Sequence, residues 1–479
     1  MSPDKKNKSV LEVDDELLED ITELIHDHSD AALKNILANL YDFDISVIID
    51  NLKDDDDACY LFSLLNDDTA SEVILEISDD RREYFTEKLS GEKISDIVSE
   101  MYSDDATDFL SDLEEDKQEE VLGNLDKLDK DDSEEVRELL SYDENTAGGI
   151  MAKEYVAVNE NMTIAEAVKE VQLRAEDVDQ FYNLWVVDDS NVLKGIMSLK
   201  RLIVSMQTPD ALTKEIMNED VIYVEAGTDQ EEVAKIFRSY DLVSMPVVDS
   251  NQRVIGKITI DDVMDVMEEE YSEDVARMAG TDAEELEKKS PLEIAKLRLP
   301  WLMITLLIEM FAVFVVSSHD EMLEKIILLA AFMPIISAIS GNTGLQSAAI
   351  VVRGLDTGNM MLKRWWEPLN RQIRTTLIIG TVIGLAVGLM GYLLSDANKV
   401  RFGLSVAVSM FISINFAGVI GTISPMISKR LGFDPALTSG PFETAFQDVI
   451  GITVFLTVST YLLSHVWNCD SHKRQASVS

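Results

Sequence analysis

A carboxylate inside an apolar run is the feature of this sequence most able to do chemistry. Asp448 lies in SGPFETAFQDVIGITVF, about a turn and a half beyond Glu443, and Glu309 interrupts WLMITLLIEMFAVFVV. A charged group at the centre of a membrane-spanning helix costs about 3 kcal/mol on insertion scales, so a place on an ion pathway is its default reading. Small hard cations take oxygen ligands and release water reluctantly. One carboxylate with carbonyls and hydroxyls round a hydrated ion is therefore a sufficient binding ring. A proton relay and a hydrogen bond inside a helix bundle are the other uses of such an acid.

Two further groups stand out. The run FMPIISAISGNTGLQSAAI sets Pro334, Gly341 and Gly344 beside Asn342, Thr343, Gln346 and Ser347. This predicts a helix broken at membrane depth, which is tolerated only where backbone is buried in protein or lines a wet cavity. Small residues that let helices pack closely are the alternative. The third group is acidic. In TIDDVMDVMEEEYSEDVARMAGTDAEELEKKS, Asp262 and Asp265 are three apart, hence on one helix face, with Glu270, Glu273 and Asp274 below. Asp104 and Asp108 in SDDATD are four apart, again on one face. Like charges so close stay ionised together only with bound cations or much water. A solvated acidic face is the plainer reading of any single pair.

The elements that must carry these residues divide the chain in three. Residues 16–142 are rich in Leu, Ile, Asp and Glu with apolar spacings of three and four, as in AALKNILANL and ATDFLSDL, which predicts a stack of short amphipathic helices. The last region contains apolar runs near 299–316, 326–352, 376–394, 404–427 and 442–466, predicting five spans of a lipid bilayer. Arg353, Lys363, Arg364, Arg371 and Arg374 lie between spans two and three, and Lys429 and Arg430 between four and five. The opposite loops carry Lys325, Lys399 and Arg401. The positive-inside rule then places the N-terminus in the cytoplasm and the C-terminus outside, in a multi-pass protein of the cell (inner) membrane.

Charge is divided as sharply. The net charge is −48; residues 291–479 hold 14 Lys and Arg against 12 Asp and Glu, so the first 290 residues carry −50. Such a surface repels nucleic acid and anionic headgroups and concentrates cations. Cys59 and Cys469 form no CxxC and five scattered His give no zinc or iron pattern. The opening MSPDKKNKSVLEVDDELLED has no apolar stretch, so the acidic half is expected in the reducing cytoplasm.

Between these regions a pattern occurs twice: MAKEYVAVNENMTIAEAVKEVQ…FYNLWVVDDSNVLKGIMSLKRL, then IMNEDVIYVEAGTDQEEVAKIFRSYDLVSMPVVDSNQRVIGKITIDDV. Each copy predicts a strand, a Thr- or Asp-capped helix, two strands round a turn and a closing helix. The pair resembles tandem cystathionine-β-synthase (CBS) modules, which are similar to sensors of adenosine nucleotides or metal ions. Ribose sites of such modules use Ser/Thr-x-x-Asp; the second copy offers Thr259 and Asp262, whereas the first has Arg201 in place of the acid.

PIISAISGNTGLQSA and GTISPMISKRLGFDPALTSGPFETAFQDVIG, preceded by RLPWLM and by the helical and CBS regions in that order, resemble the MgtE magnesium transporters over essentially the whole chain. The resemblance implies a multidomain protein: an α-helical, superhelical N-domain (16–142), α/β CBS modules (143–208 and 209–262), a connecting plug helix (263–290), an all-α membrane domain of five helices (291–468) and an extracytoplasmic tail (469–479). It implies a homodimer whose axial pore binds Mg2+ at Asp448, lined by Gly341, Asn342, Gly344 and Thr444, with Asp434 at the cytoplasmic end. It also implies closure by cytoplasmic Mg2+ bridging the plug helix to Asp229, Glu231, Asp104, Asp108 and Glu72. ATP is a further ligand in some members. Ser340, Leu345 and Gln447 depart from the family pattern, as do Glu309 and Glu443, where neutral residues are typical. These departures bear on selectivity among Mg2+, Mn2+, Co2+ and Ni2+. No enzymatic chemistry is expected. The competing readings are an ion-coupled exchanger using Asp448 and Glu309, and a membrane-anchored CBS nucleotide sensor.

Overall fold

Several of the short helices begin where an acid or hydroxyl satisfies the free N–H groups of a first turn. In the computed structural model Asp14 accepts from Leu17 N, Asp54 from Asp56 N, Ser90 from Lys93 N and Asp129 from Asp131 N. Residues 13–174, 182–283, 290–358, 360–396 and 398–476 are described, with side chains as far as 463; residues 477–479 of the tail expected at 469–479, and part of the plug segment, lie outside these. The chain divides into two compact units, Met1–Met267 and Glu268–Ser479.

Among the described residues the first unit opens with ten helices, α1 (Asp15–His26) to α10 (Lys130–Leu139), among them α8 (Ser103–Ser111). Their apolar faces make one core that includes Ile48, Phe62, Phe85, Ile94 and Phe109. The repeat then folds as read from sequence. Strands β1 (Ala157–Asn159), β2 (Asn183–Val187) and β3 (Leu193–Ser198) form one sheet with helices α11 (Ile164–Arg174) and α12 (Leu199–Ser205). After α13 (Thr213–Ile216), strands β4 (Val224–Glu225), β5 (Ser244–Val248) and β6 (Val254–Thr259) form the second, with helices α14 (Gln230–Tyr240) and α15 (Ile260–Ala279). In both sheets the first two strands are parallel and the last two antiparallel, with equivalent pairs Val158↔Val186 and Val224↔Val247. The copies are stitched by bridges Val192↔Arg253 and Ala152↔Lys257.

The second unit holds five helices long and apolar enough to cross a membrane: α16 (Pro291–Ser317), then, after the short α17 (Asp320–Lys325), α18 (Leu328–Asp356), α19 (Trp366–Leu394), α20 (Lys399–Leu431) and α21 (Pro441–Ala476). Phe332, Ile336, Phe402, Met410 and Phe455 are buried where α18, α20 and α21 meet. Gly380, Gly384 and Gly388 are spaced four apart on α19, so one face lacks side chains and α20 comes close: a Cβ on Gly384 would lie 2.9 Å from the Ala407 carbonyl oxygen.

Two expectations are corrected here. The second span is not broken: α18 is continuous from Leu328 to Asp356 with Pro334 inside it. The hydroxyls of Ser340, Thr343 and Ser347 donate to carbonyls four residues back, so polar groups are satisfied without unwinding. Nor is the acidic segment one long helix to the membrane. It begins at Ile260 and stops at Ala279, where Gly280 takes φ +79°, the left-handed conformation that ends helices.

Candidate functional site

In the second unit the candidate residues converge on the first turns of α21. Glu443 is 1% exposed and accepts from Gln447 Nε2 at 2.9 Å. Asp448 follows one turn later, with its Oδ1 sealed from solvent and without a hydrogen-bond partner among the described residues. The glycines of α18 make room for these groups. A Cβ on Gly341 would stand 3.4 Å from Thr444 Cγ2 and 3.5 Å from Asp448 Oδ1; one on Gly344 would meet Gln447 Cγ at 2.9 Å and Glu443 Oε1 at 3.0 Å. Gly344 therefore sets helix separation beside the carboxylates, while Gly341 faces Thr444 and Asp448 at ordinary contact distance. Asn342 and Gln346 stand on the opposite, exposed face of α18. The third acid of interest, Glu309 on α16, has its carboxyl within hydrogen-bonding reach of Asp448.

Asp434 lies in the connection before α21. Its Oδ1 accepts from Ala436 N at 2.7 Å, and its Oδ2 is paired with Arg277 Nη1 at 2.5 Å. Arg277, in the last turn of α15, also pairs with Glu273. Burial raises the Glu273 carboxyl above its ordinary range, against the pull of Arg277. Gly440 meets the same turn, since a Cβ there would be 2.5 Å from the Met278 carbonyl oxygen. Glu270 and Asp274 are half-buried on α15.

In the first unit a different set of acids assembles. Glu154 accepts from Ser103 N and Ser103 Oγ, both at 2.9 Å, which fixes the start of α8 against the CBS modules. Asp104 is thereby buried, 8% exposed, and its carboxyl is held well above the ordinary range by burial, then by Asp262, Asp105 and Glu154. Asp105 is pushed up to about 7 by burial and by Asp262, Glu72, Asp261 and Glu154. Asp262 is raised by burial, although its Oδ2 accepts from Thr259 N at 2.8 Å and Thr259 Oγ1 at 2.7 Å at the start of α15. The structure thus brings Asp104 beside Asp262, and Glu72 beside Asp105; Asp105, Asp261 and Glu154 were not singled out from the sequence. The signal for Asp105 was its place beside Asp104 at a helix start. Asp108 and Asp265, chosen for shared helix faces, are exposed. Asp229 is occupied in capping α14, accepting from Glu231 N at 2.9 Å, and Glu231 pairs with Lys235. Among the described residues no three His, Cys, Asp or Glu side chains are already close enough to hold one ion directly.

The comparisons with known proteins bear on all three regions. A divalent cation transporter domain, MgtE, matches residues 333–458, an MgtE intracellular N domain matches 40–145, and CBS domains match 147–207 and 214–269. The magnesium transporter MgtE of Thermus thermophilus is 36% identical over 343 residues, covering 71% of this chain and 75% of that protein. The chain belongs to the MgtE family. The MgtE of Enterococcus faecalis is 33% identical over 331 residues, covering 69% of this chain and 72% of that one. Among solved structures, the cytosolic domain of the Mg2+ channel MgtE in complex with ATP is 34% identical, with a TM-score of 0.48, covering 52% of this chain and 100% of that one.

Two results are expected of this MgtE-family chain from its packing and charge. A Cβ on Gly421 of α20 would fall inside contact distance of the Gly344 carbonyl oxygen, a backbone atom that no rotamer change can move. Gly421→Ala should therefore destabilise the membrane unit by about 1–3 kcal/mol, read as a lower melting temperature of the detergent-solubilised protein. The second concerns pH. Asp104, Asp105 and Asp262 bind protons more tightly folded than unfolded, so the unfolded chain carries fewer protons between the two pKa values. Without divalent cations the first unit should lose stability as pH rises from about 4 to about 7, the folded value of Asp105, and added Mg2+ should restore more at the upper end. Melting in chelator and in Mg2+ across that window is the measurement; a flat pH response would deny the cluster its repulsion.

Proposed function

We infer that the chain is a Mg2+ channel for magnesium uptake, without enzymatic chemistry, closed by Mg2+ bound to its acidic cytoplasmic part. The observation that carries the reading is Asp448: an acid on a membrane-spanning helix, with a sealed and unpartnered oxygen, facing a side-chain-free stretch of α18. A passive anchor needs neither that acid nor the glycines opposite. Mg2+ keeps several waters when bound, so a ring of one or two carboxylates with carbonyls suits it. Asp448 would hold the hydrated ion, Gly341, Asn342, Gly344 and Thr444 would line its path, and Asp434 would stand at the cytoplasmic mouth.

A homodimer is part of the proposal. The outward face of α18 carries Ala331, Ala338, Asn342 and Gln346, where the outward face of α16 carries Leu302, Leu306 and Met310. Asn and Gln on a spanning helix call for protein or water rather than lipid, and a second copy about a two-fold axis supplies both. The Arg and Lys of the loops after α18 and α20 favour a cytoplasmic N-terminus and an extracytoplasmic C-terminus in the cell membrane.

The regulatory ion would bind among Asp104, Asp105, Glu154, Asp261, Asp262 and Glu72; burial first, and then their acidic neighbours, raise the carboxyls of Asp104, Asp105 and Asp262, and a cation relieves that repulsion. Glu270, Glu273 and Asp274 extend the acidic surface along α15; Asp265, Asp108, Asp229 and Glu231 complete the set to be tested by substitution. ATP is a second ligand to test at Thr259 and Asp262, which already bond to one another. The deciding experiment is Mg2+ flux in liposomes containing the full chain, with and without a proton gradient. Flux that follows the Mg2+ gradient alone is expected. Flux that requires the proton gradient would make the protein an exchanger, and absence of flux would leave a membrane-anchored sensor.

A further inference from the structure

The face that α16 turns inward carries one residue that a packing surface does not require. Trp301, Thr305, Ile308, Glu309 and Ala312 are partly or fully buried, and recur at the spacing of one helix face. Leu302, Leu306, Met310 and Val313 cover the other face and are more than half exposed, Met310 at 61%. Glu309 is therefore turned toward protein and away from lipid. Its carboxyl reaches that of Asp448 on α21.

Two acids placed against each other within a membrane unit have few stable arrangements. Both charged and alone, they repel in a medium that screens poorly. Asp448 Oδ1, sealed from solvent, finds no donor among the described residues, so no Arg, Lys or hydroxyl there answers that oxygen. A divalent cation between the two carboxylates cancels the charge of both, and the complex enters the low-dielectric interior without net charge.

Resting on the reading of Asp448 as the pore site, we propose that Glu309 is a second carboxylate of that site, so that spans one and five grip the hydrated ion from two sides. Affinity at oxygen sites rises with the number of charged ligands. The second acid makes this chain's site tighter and more dependent on divalent charge than a site built on one Asp. Gly341 lies beside the site: its Cβ would stand 3.5 Å from Asp448 Oδ1, in ordinary contact, so a side chain longer than alanine there would extend toward the acid.

The test is Mg2+ flux into liposomes carrying the full chain, measured over a series of Mg2+ concentrations. Glu309→Gln keeps a hydrogen-bonding partner for Asp448 but removes the second charge. Half-saturation should rise about tenfold while the maximal flux stays within a few-fold of the parent. Block by cobalt hexammine, an inert analogue of the hydrated ion, should weaken in parallel. Glu309→Asp, which keeps the charge, should stay closer to the parent than Gln does. Should the Gln variant not assemble, Glu309→Ser replaces it with the same expected shift. An unchanged half-saturation and unchanged block would reduce Glu309 to a hydrogen-bonding partner and overturn the proposal. Asp448→Asn, run alongside, separates the two readings: if it conducts normally, the pore assignment itself fails; if it is silent while Glu309→Gln is unaltered, only the second ligand falls.

Discussion

Asp448→Ala should abolish Mg2+ uptake, by about 100-fold or more, in a protein that still folds and reaches the membrane. The substitution removes a group that contributes nothing to packing that alanine cannot replace. Oδ1 makes no hydrogen bond among the described residues, so its loss orphans no donor there. The neighbouring Glu443–Gln447 pair and the contacts of Gly341 and Gly344 with α21 would hold the helices as before. Stability should therefore change little, or increase, because a buried charge is removed. What is lost is the only aspartate on α21 within the described side chains, and with it the charge that compensates partial dehydration of the ion. Radiotracer or fluorescent-indicator uptake, beside the melting temperature of the purified variant, separates the two effects. Normal flux with Ala at 448 would sink the pore assignment.

The second large effect is on gating. Replacing Asp262 and Asp265 with Asn should leave a channel that no longer shuts as cytoplasmic Mg2+ rises. Asp262 stands at the start of α15, against Asp104 and Asp105 of the helical domain. Once it is neutral, Glu72, Asp104, Asp105, Glu154 and Asp261 still repel, so the open bias persists. The contribution of Asp262 to an ion bridge is gone. A ligand can move a two-state equilibrium only by its preference for one state, and a shift from nearly all open to nearly all closed needs about 5.5 kcal/mol. Several weak sites acting together supply that, and each is sensitive to loss of one carboxylate. Single-channel open probability against cytoplasmic Mg2+ is the measurement. Closure at the parent's concentration would show that the charge at α15 serves another end. Asp262→Asn alone should account for most of the change, because Asp265 is exposed.

Much of this was readable in the chain before any coordinates. Five apolar runs, the charge of the first 290 residues, the doubled CBS pattern and the acid at 448 are properties of composition and local periodicity, and burial in lipid or protein enforces them one segment at a time. The helix caps at Asp14, Asp54, Ser90 and Asp129 are equally local. The sequence by itself therefore determined the order of domains and the spans, and singled out Asp448 as the acid to test. Tertiary structure decided which acids face one another. Spacing made Asp104 and Asp108 equivalent, yet the docking of α8 through Glu154 buries the first with Asp105 and leaves the second exposed. Pro334 and the glycines suggested a broken helix, but side-chain hydroxyls and close packing against α21 keep α18 whole. Arg277 on Asp434, and Glu309 on Asp448, join residues far apart in sequence. A helical period states which residues share a face, not what that face meets; desolvation and partner choice arise only when another element is packed upon it.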